Sequence, residues 1–159
     1  MIKVILTREH IACAKRVAEL RNASHRGAGR ADGVVAPDSI QMDIDGAYGE
    51  IAVAIALNQP WSNAILSIEK WLLSRDNLPD VGNKEVKTTR HPNGCLLLQR
   101  HSSNTAPYVL ALLDEFPVVK LVGWMMGDEV KQPKYWRTNV PKPCFMAPQR
   151  DLHPIEELV

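Results

Sequence analysis

Pro79-Asp80-Val81-Gly82-Asn83-Lys84-Glu85-Val86-Lys87 is the stretch on which the reading of this chain turns. Alternate residues of a strand point to the same face. With Glu85 to Lys87 on a strand, Glu85 and Lys87 stand side by side and Val86 turns into the core. Gly82-Asn83 is a turn signal that folds Asp80 back toward Glu85. Two carboxylates beside one ammonium suit metal-assisted hydrolysis of phosphodiesters. The acids hold a hard divalent cation, and the lysine orients or activates the attacking water.

A Glu-x-Lys triplet alone carries little weight, since one arises by chance in about every second protein of this size. The chain holds a second one, Glu129-Val130-Lys131, after Gly127-Asp128. A short helix is expected there, and residues two apart on a helix diverge. Glu129 and Lys131 are therefore expected on a solvated helix face. The first triplet differs in its β-branched surroundings, Val86-Thr88-Thr89, and in the upstream Asp80.

A further acid lies upstream. The segment from Asp43 to Leu57 reads as a helix, capped by Asp43 or Asp45 and apolar nearly all round from Ala47 to Leu57. Glu50 is the only charge in that apolar part. A buried ionised carboxylate is costly unless it is paired or bound to metal. Two readings stay open for Glu50: a metal ligand, or a buried ion pair with a Lys or Arg.

Together these residues resemble the PD-(D/E)XK, or restriction-endonuclease-like, nuclease superfamily. There, Pro-Asp ends or precedes one strand, Glu-x-Lys lies on the next, and an upstream helix often carries a Glu. Gly49-Glu50-Ile51-Ala52 followed by Asp80, Glu85 and Lys87 is similar to small phage or prophage members. The resemblance covers about 43–100. It implies Asp80, Glu85, Lys87 and Glu50 as catalytic residues. It implies Mg²⁺ or Mn²⁺ held by Asp80, Glu85, the Val86 backbone carbonyl and Glu50. The implied activity is a metal-dependent nuclease, endonuclease first, acting on nucleic acid, DNA first. A catalytically silent nucleic-acid- or partner-binding protein on the same fold is the alternative. A homodimer is compatible with either. One departure stands out: only His101 to Pro107 separates Arg100 from the next expected strand. That is shorter than a parallel crossover needs. Either the usual crossover helix is reduced to a turn, or the pairing order differs.

The rest of the chain frames this site. Ile2 to Leu6 reads as a buried strand. A helix follows from about Arg8 to Arg21, with Ile11, Ala14, Val17, Ala18 and Arg21 at helical spacing. Residues 22–38 form a Gly-, Ser- and Arg-rich loop, and a second amphipathic helix is expected over 62–74. Strands are expected at 84–90, 95–100, 108–113 and 118–126. An irregular, proline-rich tail follows from about Pro133. The expected class is α/β or α+β: a mixed sheet flanked by helices, with N-terminal helices and then a mostly meandering sheet, in one domain spanning 1–159. Basic groups that could meet nucleic-acid phosphates are Arg26 and Arg30 in the loop and Arg100 and His101 after a strand. Arg90 falls on the face opposite Lys87 and reads as a surface group.

Composition sets the outer bounds. Net charge is +1 across 159 residues, so any affinity for nucleic acid must come from a local basic patch. No apolar run approaches a membrane span, and no signal peptide is expected. The three cysteines are far apart, without a Cys-x-x-Cys pair. That argues against a zinc ribbon or disulfide framework and for reduced thiols in a cytoplasmic setting, that of a bacterial host if the chain is phage-derived.

Overall fold

In the computed structural model, which describes residues 1–27, 39–61 and 79–159, one strand organises the rest. It spans Pro107–Glu115 and is buried from Pro107 to Leu113. Tyr108, Leu110 and Leu112 face one side, and Val109, Ala111 and Leu113 the other. Apolar residues at every position rather than every second one mark a strand covered on both faces. In chain order it is β4. The others in its sheet are β1 (Ile2–Ile5), β2 (Glu85–Thr89), β5 (Val118–Met126) and β8 (His153–Pro154). The sheet order is β1-β5-β4-β2, and β8 also pairs with β5. β5 is antiparallel to β1, β4 and β8, whereas β2 runs parallel to β4 with Glu85 opposite Tyr108 and Lys87 opposite Leu110. The protein is thus a mixed α/β fold built on a mixed sheet.

Helices α1 (Arg8–Gly27) and α2 (Ser39–Ala56) pack against each other, and α2 lies against one face of the sheet. Ala47, Ile51, Ala52, Val53 and Ala54 meet Val86, Val109, Ala111, Leu113, Val119 and Leu121 there. Gly49 permits this approach: a Cβ at that position would run into Thr88 Oγ1 and lie 3.2 Å from the Ala111 Cβ. The opposite face is covered by a three-stranded antiparallel sheet, β3-β7-β6, made of Leu96–Leu98, Cys144–Ala147 and Trp136–Arg137. Leu96, Leu98 and Ala147 pack on Tyr108, Leu110, Leu112 and Met125, with Val130 of the short helix α3 (Gly127–Val130). Among the described residues, no helix is long and apolar enough to cross a membrane.

Several expectations change. α1 continues to Gly27, six residues past Arg21, and α2 begins at Ser39, so Asp43 and Asp45 lie inside the helix instead of capping it. Asp45 pairs with Arg90 at 2.6 and 2.7 Å. The strands do not form a single meander. β3 leaves the main sheet for the second one, so the path from β2 to β4 crosses over through a strand and loops, and it is the pairing order that differs. The tail is not simply irregular: it supplies β6, β7 and β8, with 3-10 turns before β6, between β7 and β8, and after β8. Pro143 and Pro148 flank β7, whereas Pro154 lies in β8 opposite Gly123. The helix expected over 62–74 lies outside the described residues, as does 28–38 of the expected loop.

The tight seat of α2 predicts the effect of a single methyl. Gly49→Ala should cost roughly 1–3 kcal/mol by overpacking. Adding Thr88→Ala should return part of that loss, because Thr88 Oγ1 is the closest obstacle and has no hydrogen-bond partner among the described residues. Urea denaturation of the single and double variants measures both.

Candidate functional site

The stretch before β2 folds as its residues dictate. Gly82, at φ 60°, and Asn83 form a two-residue turn. It is closed by Val81 N–H to Lys84 O at 3.1 Å and Lys84 N–H to Val81 O at 2.9 Å. Glycine carries a positive φ at little cost, which is why it opens such turns. The reversal brings Asp80 back alongside β2, where its Oδ2 accepts the Val86 N–H at 2.8 Å. β2 is the end strand of the described sheet, so side chains can reach its backbone from outside.

Val86 packs into the α2-facing core. Glu85 and Lys87 consequently point to the other face, next to their register partners Tyr108 and Leu110. The Lys87 ammonium lies 5.8 Å from the centre of the Tyr108 ring. Burial and the charge of Glu50 push the Glu85 carboxyl above its usual range, while Lys87 opposes them. For Asp80 burial is the leading cause, then the charge of Glu50. Glu85 adds to the rise, and the Val86 N–H and Lys87 work against it. The balance leaves its carboxyl pushed up to about 7. Asp80 thus senses Glu50, Glu85 and Lys87 together, the set singled out from the sequence.

Glu50 is 5% exposed on α2, and its carboxylate is engaged from two sides. Arg21 of α1 grips it in a fork, at 2.9 and 2.7 Å, and Trp61 Nε1 donates at 2.7 Å. A forked guanidinium is the strongest common answer to a buried carboxylate. Burial would lower the Arg21 pKa, but hydrogen bonding and charge from Glu50 overcome it and raise the value, with Asp80 and Asp43 adding to the rise. Glu50 is thus ion-paired with Arg21 across the two helices. Among the described residues, no three His, Cys, Asp or Glu side chains converge closely enough to hold a metal ion.

The candidate phosphate contacts divide. Arg26 lies on the last turn of α1, and Arg30 is outside the described residues. Arg100 and His101 are exposed, and the Arg100 guanidinium lies 4.4 Å from the centre of the Trp136 ring. Arg90 is a surface group paired with α2, as expected. Sequence reasoning missed Arg21, Trp61 and Tyr108 as neighbours of the site. A signal existed for Arg21: it is the one charge on the apolar stripe of α1, as Glu50 is on α2. Trp61 and Tyr108 carry no comparable mark. The second triplet is only partly the solvated face expected: the Glu129 side chain is 42% exposed, yet both residues have partners. Glu129 accepts the Met126 N–H at 2.8 Å and meets His153 at 3.0 Å, and Lys131 bonds to the loop after β3.

Two measurements follow from these partners. Arg21→Met removes the forked guanidinium from a buried carboxylate and should cost roughly 3–5 kcal/mol; adding Glu50→Gln should recover part of it in urea denaturation. The Asp80 carboxyl keeps its proton in the folded chain at pH values where the unfolded chain, at 3.8, has lost it. A raised folded pKa stabilises most below the unfolded value, and that stability is lost as pH rises through the folded one. Stability should therefore fall between about pH 4 and pH 7 by at most a few kcal/mol and level off above. Asp80→Asn should flatten most of that fall, with Glu85 leaving a residual slope in the same direction.

No protein-family model, curated protein or solved structure matches this chain, so the geometry above is what any functional reading must rest on.

Proposed function

We propose that this chain is a divalent-metal-dependent nuclease of the PD-(D/E)XK, restriction-endonuclease-like type, hydrolysing phosphodiester bonds of nucleic acid, with DNA as the first substrate to test. The observation that carries the reading is the Asp80 carboxyl. It is drawn back to the Val86 N–H by the Gly82 turn, and its pKa is pushed up to about 7 by burial and the acids around it, with Lys87 in electrostatic reach. A carboxyl in that state exchanges its proton near neutral pH, and a cation bound there would displace the proton and relieve the repulsion from the neighbouring acids. The order of parts also supports the reading: a helix acid, an Asp before the strand, then Glu-x-Lys on it.

The donors suit a hard cation, which takes oxygen ligands. Asp80, Glu85 and the Val86 carbonyl would hold Mg²⁺ or Mn²⁺. Glu50, committed to Arg21 and Trp61, would act on it through water or through its charge. When bound, such an ion neutralises charge on the scissile phosphate and lowers the pKa of a coordinated water. Lys87, beside Glu85 on an open strand face, would orient the attacking water and stabilise negative charge as it develops. Asp80 must be ionised for this, so activity should rise with pH as its proton leaves.

A specific observation favours the alternative, a catalytically silent nucleic-acid- or partner-binding protein on the same fold. As the side chains stand, Glu50 is engaged by Arg21 and Trp61, and no three acids among the described residues converge. That reading requires no side chain to move and fits the described geometry more directly.

Plasmid and single-stranded DNA incubated with Mg²⁺, Mn²⁺ or EDTA separates the two. The nuclease reading expects cleavage with either metal and none in EDTA. It also expects losses on the order of a hundredfold or more in Asp80→Ala, Glu85→Ala and Lys87→Ala. Millimolar Mg²⁺ should raise the melting temperature of the wild type but not of the Asp80→Ala, Glu85→Ala double variant. Binding without cutting, and no shift with Mg²⁺, supports the silent reading.

A further inference from the structure

The loop from Gln99 to Ala106 joins β3 to β4 and meets the Lys87 side of the sheet through Tyr108. Tyr108, whose ring lies beneath the Lys87 ammonium, donates its hydroxyl to Ser103 O at 3.3 Å. The loop is held from outside by α3. Asn104 O accepts the Asp128 N–H at 2.8 Å, and Ala106 O accepts the Gly127 N–H at 3.0 Å. A Cβ at Gly127 would collide with Ser103 O, so the contact is as close as a backbone allows.

Lys131 completes the hold. Its ammonium donates to Arg100 O at 2.8 Å, to Asn104 Oδ1 at 2.7 Å and to Ser102 O. An ammonium has three donors, and all three go to one loop. Carbonyls in such a loop have no ladder partners, so a single cation can gather them where a helix or strand cannot. At the start of the loop, the exposed Arg100 guanidinium stacks on Trp136, which in turn leans on Phe145 at 4.7 Å between ring centres. Among the described residues, no carboxylate is paired with Arg100. A stacked guanidinium keeps its in-plane N–H donors available and has already lost rotamer freedom, which suits it to a phosphate oxygen.

We infer that Lys131 is a positioning residue for nucleic-acid binding: it fixes the 99–106 loop so that Arg100, braced on Trp136, meets a backbone phosphate beside the Lys87 face. This deepens the proposed function in its choice of partner, but it depends on binding alone and not on cleavage. Lys131 itself touches loop oxygens and makes no contact with the phosphate. Its loss therefore acts through Arg100.

The test is equilibrium binding of fluorescein-labelled single-stranded and duplex DNA oligonucleotides in EDTA, across a salt series. It uses wild type, Arg100→Ala, Lys131→Met and the double variant, at a temperature where circular dichroism shows all four folded. Arg100→Ala should weaken binding about fivefold and reduce the slope of log K against log salt by about one. Lys131→Met should weaken it to a similar extent, and the double variant should bind no worse than Arg100→Ala. Lys131→Arg, which keeps a cation able to reach the carbonyls, should restore much of the affinity. Wild-type affinity in folded Lys131→Met overturns the inference. So do fully additive losses, which would make Lys131 an independent contact. A wild type that binds neither oligonucleotide overturns it together with both nucleic-acid readings. Binding with the expected pattern but no cleavage in Mg²⁺ leaves the inference standing and removes the nuclease reading.

Discussion

A carboxylate placed on the buried face of an apolar helix has to be answered, and the answer to Glu50 ties the site together. α2 can sit low on the sheet because Gly49 has no side chain. The next residue is then carried into the interior, at 5% exposure. Left alone there, its charge would be expensive enough to shift the helix or protonate the group. Arg21 comes from α1 and Trp61 from just beyond α2, so one carboxylate fastens three parts of the chain. Trp61 also bridges to Val81, and Val81 closes the turn that returns Asp80 to β2. The position of Asp80 is thus linked to the pairing of Glu50, whose charge adds to the rise of the Asp80 carboxyl.

The two faces of the main sheet divide the labour. The α2 side is dry and carries the ion pair; the other side receives Glu85 and Lys87 at its open end. β3, β7 and β6 cover Leu110 and Leu112 there but leave the neighbouring edge strand β2 only half-buried. Among the described residues, β2 lies parallel to β4 at the end of the sheet, and all but Val86 of it is half-buried. Asp80 takes the Val86 N–H on that edge, and the loop held by Lys131 borders that face. A parallel end strand would otherwise be a site for unwanted pairing; here the turn at 79–84 folds over it.

Local patterns were legible and distant partners were not. The strand at 85–89, the Gly82-Asn83 turn and the return of Asp80 could all be read, because a period of two and a glycine-led turn depend on neighbours in sequence. The weight placed on Glu50 was justified by its setting, but its partner was unreadable. A metal and an arginine satisfy the same buried charge, and nothing local distinguishes them. The Glu129-Val130-Lys131 triplet shows the converse. Helical divergence was the right local inference, yet divergence only sends the two side chains to different partners, His153 for one and the 99–106 loop for the other. The α2 start was misplaced because an Asp inside a helix that pairs with a distant Arg looks the same as an Asp that caps it.

Sequence alone determined the local character of the segments around the site: the strand at 85–89, the body of α1 and α2, the turn that reverses the chain, and which acids and lysine are out of keeping with their surroundings. These follow from backbone geometry and from the cost of isolated charge. Tertiary structure alone decided that β2 pairs parallel to β4, that β3 joins the proline-rich tail in a second sheet, that Arg21 answers Glu50 and that Lys131 serves a loop. Each of these joins groups dozens of residues apart, and the free energy that selects one pairing over another arises only when packing brings them into contact.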